Sequence, residues 1–198
     1  MSWHTEALAV LELLQALVVE PRTALLIGLL IGAACIDAKT HRIPNVLVMI
    51  GIAFAIPYNG IYPAYHSENG WLVALSGMGV GFVAFLPLYF LRAMGAGDVK
   101  LMAMVGAFVG PWPAVLSVLW SCVAGGVLAL GYLMWTGNAR RGFGNVKTLV
   151  TSNFMTMSIG HVDLSVSPLV SAGKLPYGVA IASGTIAFLV VRQLGFIH

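Results

Sequence analysis

The chain has 198 residues, of which 59% are hydrophobic and only 9% are charged, and its formal net charge at pH 7 is +3. Its mean hydropathy is +0.92, whereas soluble globular chains carry roughly 25% charged residues. This composition excludes an ordinary soluble domain and predicts an all-α, polytopic integral membrane protein. The basic residues are scattered, which argues against a nucleic-acid-binding face. Cys35, Cys122 and five dispersed histidines show no metal-ligand spacing, so we expect neither a metal nor a cofactor.

Along the chain, an N-terminal amphipathic segment is followed by six apolar stretches. Residues 5–19 place apolar side chains at helical spacing with two glutamates among them. They are too weakly basic for a signal peptide and lack its cleavage pattern, so this segment lies at the membrane surface or extends the first span. The apolar stretches, bounded by Gly, Pro and Asn turns, predict about six transmembrane helices. The predicted spans cover residues 22–36, 44–56, 71–91, 99–110, 114–135 and 176–195.

The fourth apolar stretch is unusually short. Residues 99–110 would form about 18 Å of helix, against a hydrocarbon core of about 30 Å. We therefore expect the preceding segment, residues 95–98, to lie within the bilayer as non-helical backbone that lines a protein-walled cavity. No internal repeat is visible, so residues 1–198 are predicted to form a single domain with a long loop over about 136–175.

The distribution of basic residues predicts the orientation. With the N-terminus outside, eight of the ten basic residues fall on the inside. The positive-inside rule then places both termini outside and the long loop in the cytoplasm. The eight are Lys39, Arg42, Arg92, Lys100, Arg140, Arg141, Lys147 and Lys174.

Two of the seven acidic residues, Asp37 and Asp98, are predicted to lie at the same cytoplasmic face, at the end of span one and the start of span four. Charged side chains at membrane depth are costly and usually functional. Two close carboxyls in a poorly solvated site share one proton. The ionised member can then activate water while the protonated member polarises a peptide carbonyl. The pair favours an aspartic protease over two separate helix caps or ion pairs.

The residues around Asp98 suit such a site. Gly95 and Gly97 would allow a substrate strand to approach the backbone closely. Lys100 is two residues beyond Asp98, so on a regular helix the two side chains do not share a face. A lipid headgroup or a loop contact is therefore the favoured role of Lys100, with an effect on the aspartates as the alternative.

The chain resembles the type IV prepilin peptidases, which are aspartic proteases of the GxGD type in the bacterial inner membrane. It is most similar to the short form that serves tight-adherence (Flp-type) pili. Three blocks carry the resemblance in the order of the family. They are Asp37 with Arg42-Ile43-Pro44-Asn45, then Gly95-Ala96-Gly97-Asp98-Val99-Lys100-Leu101, and then Leu175-Pro176-Tyr177-Gly178-Val179-Ala180-Ile181-Ala182-Ser183-Gly184.

The resemblance implies that Asp37 and Asp98 are the catalytic pair. It implies a prepilin or pseudopilin substrate, whose short basic leader precedes an apolar helix and is cut after a small residue on the cytoplasmic side. It also implies a multi-pass protein in the bilayer of the inner membrane, and it leaves a homo-oligomer open. The residues expected in the active-site loops and the substrate approach are Arg42, Pro44, Asn45, Gly95, Gly97, Lys100, Pro176, Tyr177 and Gly178.

One departure from the longer family members limits the predicted chemistry. Those members carry paired CxxC motifs in a cytoplasmic domain and also methylate the new N-terminus. Here the first inside loop has about eight residues and no CxxC is present. The prediction is therefore proteolysis alone, with no methyltransferase or zinc domain.

Three other functions compete with this one. A small proton-coupled transporter, or a non-catalytic secretion-assembly subunit, could use the same acids, although no inverted repeat is visible. Intramembrane proteases related to presenilin share the GxGD motif, but the block from Arg42 to Asn45 favours the prepilin branch. Asp163, in the long loop, is a candidate contact for a basic leader.

Overall fold

The structure, a computed structural model, describes residues 20–63, 69–91, 94–135 and 176–195. The predicted N-terminal amphipathic segment and the loop 136–175, with Asp163, lie outside the described residues. The described part of the chain is all helical, as predicted. It contains α1 (Pro21–Thr40), α2 (Asn45–Ile61), α3 (Gly70–Phe90), α4 (Ala96–Val109), α5 (Pro111–Trp135) and α6 (Tyr177–Gln193).

Three of these helices are long and apolar enough to cross a membrane, over Pro21–Thr40, Gly70–Phe90 and Pro111–Gly131. Two shorter apolar helices accompany them, Asn45–Ile61 and Tyr177–Gln193. Together with the composition, these helices identify a helical membrane protein.

Two predicted helix ends are wrong because local bonds carry the helix further. The first helix continues through Asp37 to Thr40, whose hydroxyl donates to the carbonyl of Ile36 at 2.9 Å. The second continues through Pro57 to Ile61. Stacked rings of Phe54 and Tyr58, with centroids 5.3 Å apart, lie on either side of the proline and hold one face of the helix together.

Two predicted helix starts are also wrong. The fourth helix begins at Ala96, so Gly97 and Asp98 are helical rather than part of a non-helical segment. Asp98 caps its own helix, and neighbouring helices bury it, which outweighs the poor helix propensity of glycine. The fifth helix begins at Pro111, where a missing N–H costs nothing in the first turn. The chain turns between α4 and α5 at Gly110, where φ is 85°.

α4 is the central helix of the bundle. From Asp98 to Gly110, every residue except Lys100 is buried. α4 packs against α1, α2, α3 and α6. Its closest approach to α3 is at Gly77 and Gly106, where a Cβ on either glycine would overlap the carbonyl oxygen of the other. This contact requires glycine on both helices.

Asn59 joins α2 to α4 by a buried hydrogen bond. Its Nδ2 donates to the carbonyls of Ala107 at 2.9 Å and Ala55 at 3.0 Å. Interhelical bonds of this kind are worth about 0.6 kcal/mol on average in membranes, and up to about 1.7.

The chain divides into two compact units, Met1–Gly125 with Pro176–His198, and Gly126–Leu175. Only the C-terminal part of α5 is described in the second unit. The ends of α1, α4 and α6 that carry the candidate site all belong to the first unit.

Candidate active site

Asp37 lies in the last turn of α1 and is only 5% exposed. Its backbone carbonyl accepts the N–H of His41 at 2.8 Å, and His41 ends the helix in the left-handed region at φ 51°. Its side-chain Oδ2 accepts the backbone N–H of Gly178 at 2.7 Å, in a buried hydrogen bond that spans 141 positions of the sequence. The carboxyl at the end of α1 is therefore fixed by the start of α6.

Gly178 is a close fit against this carboxyl. A Cβ at position 178 would lie 2.8 Å from Oδ2 of Asp37 and 3.0 Å from both its Cβ and its Cγ. Pro176 is the N-cap of α6, so Gly178 is in its first turn, where backbone N–H groups lack partners within the helix. A carboxylate at a helix N-terminus is stabilised by these N–H groups and by the helix dipole.

Asp98 is fixed in a similar way at the start of α4. It is 7% exposed, and its Oδ2 accepts the N–H of Gly95, the N-cap residue, at 2.9 Å. Its own N–H donates to the carbonyl of Gly95 at 3.1 Å. This reciprocal arrangement satisfies donors at the helix start and restricts the rotamer of Asp98.

The connection between α1 and α2 packs onto the same turn. A Cβ on Gly97 would lie 3.3 Å from Cβ of Ile43, which is closer than side chains normally approach each other. Gly97 thus allows the start of α4 to pack closely against the connection between α1 and α2.

Asp37 and Asp98 lie close enough for the charge of one to act on the other, and Asp98 acts in the same way on the side chain of Tyr177. We call Asp37 and Asp98 the aspartate pair. Each member uses Oδ2 for its backbone bond, and among the described residues neither Oδ1 has a protein hydrogen-bond donor. Neither carboxyl forms an ion pair within the described ranges. Each carboxyl accepts a hydrogen bond at a helix N-terminus, as the alternative of two separate helix caps predicts. The charge of one carboxyl nevertheless acts on the other.

Other predicted site residues lie at the start of α2, on the connection before it and on α4. Lys100 donates from Nζ to Oδ1 of Asn45 at 3.1 Å, and both side chains are exposed. Asn45 is the first residue of α2 and follows the N-cap, Pro44. Arg42 is exposed on the connection between α1 and α2. In the parts of the chain that are described, no group of three His, Cys, Asp or Glu residues lies together as a metal site.

The sequence alone does not predict that the backbone N–H of Gly178 donates to Asp37. The signal for it is modest: Pro176 predicts a helix start, and a helix start carries unpaired N–H groups. That Asp37 is the acceptor depends on how α1 packs against α6.

Comparison with known proteins gives two matches. Residues 24–130 match the model of the type IV leader peptidase family, a range that includes both members of the aspartate pair. The chain is also 33% identical over 126 residues to a prepilin leader peptidase/N-methyltransferase of Myxococcus xanthus (strain DK1622). The match covers 58% of this chain and 35% of that protein, so the chain spans about a third of the length of this relative. No solved structure matches.

Proposed function

The chain belongs to the type IV leader peptidase family, and we propose that it is a membrane aspartic endopeptidase that removes the short basic leader of a type IV, Flp-like prepilin. The observation that supports this most directly is the aspartate pair. Two buried carboxyls from separate helices lie close enough to interact through their charges, and each is oriented by a backbone N–H. An Asp dyad of this kind can activate water without a metal.

The proposed reaction uses one proton shared by the pair. The ionised carboxylate removes a proton from a water molecule as its oxygen attacks the scissile carbonyl carbon. The protonated carboxyl donates its proton to the carbonyl oxygen, which gives a tetrahedral diol. Collapse of this intermediate breaks the C–N bond, and a proton from the pair goes to the leaving amine. The backbone bonds to Gly178 and Gly95 keep both carboxyls in place, which is the positioning that such a step requires.

We further propose that the site faces the cytoplasm of a bacterial inner membrane, with both termini outside. Charge asymmetry supports this orientation. The relative's name includes an N-methyltransferase, and this chain spans about a third of that protein. Because this sequence has no CxxC motif, the proposed activity is proteolysis without methyl transfer.

The test is cleavage of a prepilin with a basic leader by the full chain reconstituted in vesicles, with product length as the readout. Asp37→Asn and Asp98→Asn each remove the general acid–base function while preserving shape. Such a function contributes about 10²- to 10⁴-fold, so each variant should lose at least about a hundredfold in rate. Glu20→Gln is the matched control, because it makes the same chemical change at the opposite end of α1, where the carboxyl is 51% exposed.

Cleavage by either Asn variant at near the wild-type rate, in protein with unchanged thermal unfolding, would exclude the aspartate pair as the catalytic centre. The transporter alternative predicts a different pattern. It requires proton flux into vesicles that depends on both aspartates in the absence of any substrate cleavage.

A further inference from the structure

An apolar groove lies on the outer wall of the bundle, beside the start of α4. Its volume is about 450 Å³, and its lining includes Asn45, Val48, Ile52, Met78, Phe82 and Lys100. On α2, the positions 45, 48 and 52 form one helical stripe. We call this surface, formed by α2, α3 and α4, the lipid groove.

One end of the lipid groove is polar and positively charged. Lys100 is the single exposed residue of α4 between Asp98 and Val109, and its Nζ is held 3.1 Å from Oδ1 of Asn45. Asn45 opens α2, whose N-cap residue, Pro44, provides no side-chain hydrogen bond to the first turn. An ammonium group beside an uncapped helix N-terminus is a suitable environment for a phosphate.

The rest of the groove is apolar and extends over only part of the membrane. From Asn45 to Ile52 is about 10 Å along the helix axis, less than the roughly 15 Å depth of one leaflet. We propose that the lipid groove binds one anionic phospholipid, with its phosphate at Lys100 and Asn45 and an acyl chain along Val48, Ile52 and Phe82. The ligand thus has charge complementary to Lys100 and an apolar chain that matches the lining.

The charge of the groove favours an anionic lipid over a protein helix that follows a basic leader. Lys100, exposed at the polar end, attracts a phosphate and repels a basic segment. A single acyl chain also needs far less width than a helix, which is about 10–12 Å across with its side chains. This inference concerns a ligand distinct from the substrate and holds whether or not the aspartate pair is catalytic.

Gly79 offers a way to fill the groove without disturbing the fold. It lies in the lining, and a Cβ at this position would meet nothing within 4 Å. Gly79→Leu should therefore occupy the space of the acyl chain. Gly28→Leu is the matched control, because Gly28 is an exposed helical glycine on α1 whose Cβ would also meet nothing within 4 Å.

The experiment measures lipid retained by the full chain in native mass spectrometry, with phosphatidylglycerol and phosphatidylcholine of identical acyl chains as probes. The wild type and Gly28→Leu should retain phosphatidylglycerol preferentially, and Gly79→Leu should lose both lipids. Lys100→Gln should lose about fivefold in affinity for phosphatidylglycerol, since one Lys near an anionic lipid contributes about a factor of this size. Lys100→Arg should keep the preference because it keeps the charge.

Two results would overturn the proposal. One is equal retention of the two lipids by the wild type. The other is phosphatidylglycerol binding by Gly79→Leu at the wild-type level. If Gly79→Leu instead kept its lipid and lost only the cleavage of substrates that carry an apolar helix, the occupant would be the substrate helix.

Discussion

The hydrogen bond from Gly178 to Asp37 makes Gly178→Ala the most informative single change in this site. The added Cβ would lie 2.8 Å from Oδ2 and 3.0 Å from Cγ of Asp37. Rotation of the carboxyl relieves the contact with Oδ2, whereas the 3.0 Å contact with Cβ of Asp37 needs a shift of a few tenths of an ångström between α1 and α6. This movement breaks the 2.7 Å bond and misplaces a carboxyl that is proposed to hold the attacking water.

The magnitude follows from that bond. Hydrogen bonds to charged groups are worth about 1.5–3 kcal/mol, and each 1.36 kcal/mol in the activation barrier is a factor of about ten in rate. Gly178→Ala should therefore lower kcat by roughly ten- to a hundredfold. KM should change little, because the displaced carboxyl acts on the reacting bond rather than on the remote parts of the substrate.

The assay is steady-state cleavage of a prepilin in vesicles, accompanied by thermal unfolding in detergent. Gly28→Ala, whose Cβ would meet nothing within 4 Å, is the control and should match the wild type. Retention of more than half of the wild-type kcat by Gly178→Ala would refute the positioning role of Gly178. A large loss of unfolding temperature would refute the claim that the rearrangement stays local.

Three further predictions follow from the same contacts. Asn59→Leu removes the bond to Ala107 and should lower the free energy of unfolding by about 0.6–1.7 kcal/mol, measured by unfolding in a denaturing detergent; an unchanged value would contradict this. Gly77→Ala forces a Cβ into the backbone of Gly106 and should cost about 3 kcal/mol or more, whereas Gly79→Ala, two residues away, should leave unfolding unchanged; equal effects would disprove the close contact. The rate of cleavage should be bell-shaped in pH, because acid protonates both members of the aspartate pair and base ionises both; a rate that rises to a plateau would exclude a shared proton.

The sequence was sufficient to predict the helices. It also made Asp37 and Asp98 the candidate pair, because a few charges in a long apolar chain are conspicuous, and their catalytic role stays a prediction. It was less informative about helix ends. Pro57 and Gly97 are poor helix formers, yet both lie within helices. The stacked rings of Phe54 and Tyr58 hold α2 together across Pro57. The cap and burial of Asp98 outweigh the low helix propensity of Gly97.

The partners of the two carboxyls were harder to predict than the carboxyls themselves. The bond from Gly95 to Asp98 is local and follows from helix-capping rules. The bond from Gly178 to Asp37 joins residues 141 positions apart, and no local pattern specifies it. The lipid groove was invisible for the same reason, since three helices each contribute one stripe to it.

The central claim is that Asp37 and Asp98 act as one unit, and a double-mutant cycle on cleavage rate tests it most directly. Residues that act together are strongly non-additive. The rates of Asp37→Asn, Asp98→Asn and the double variant should therefore be about equal, all at least about a hundredfold below the wild type. A double variant slower than each single variant by the product of their separate effects would show that the two carboxyls act independently, and would contradict the account.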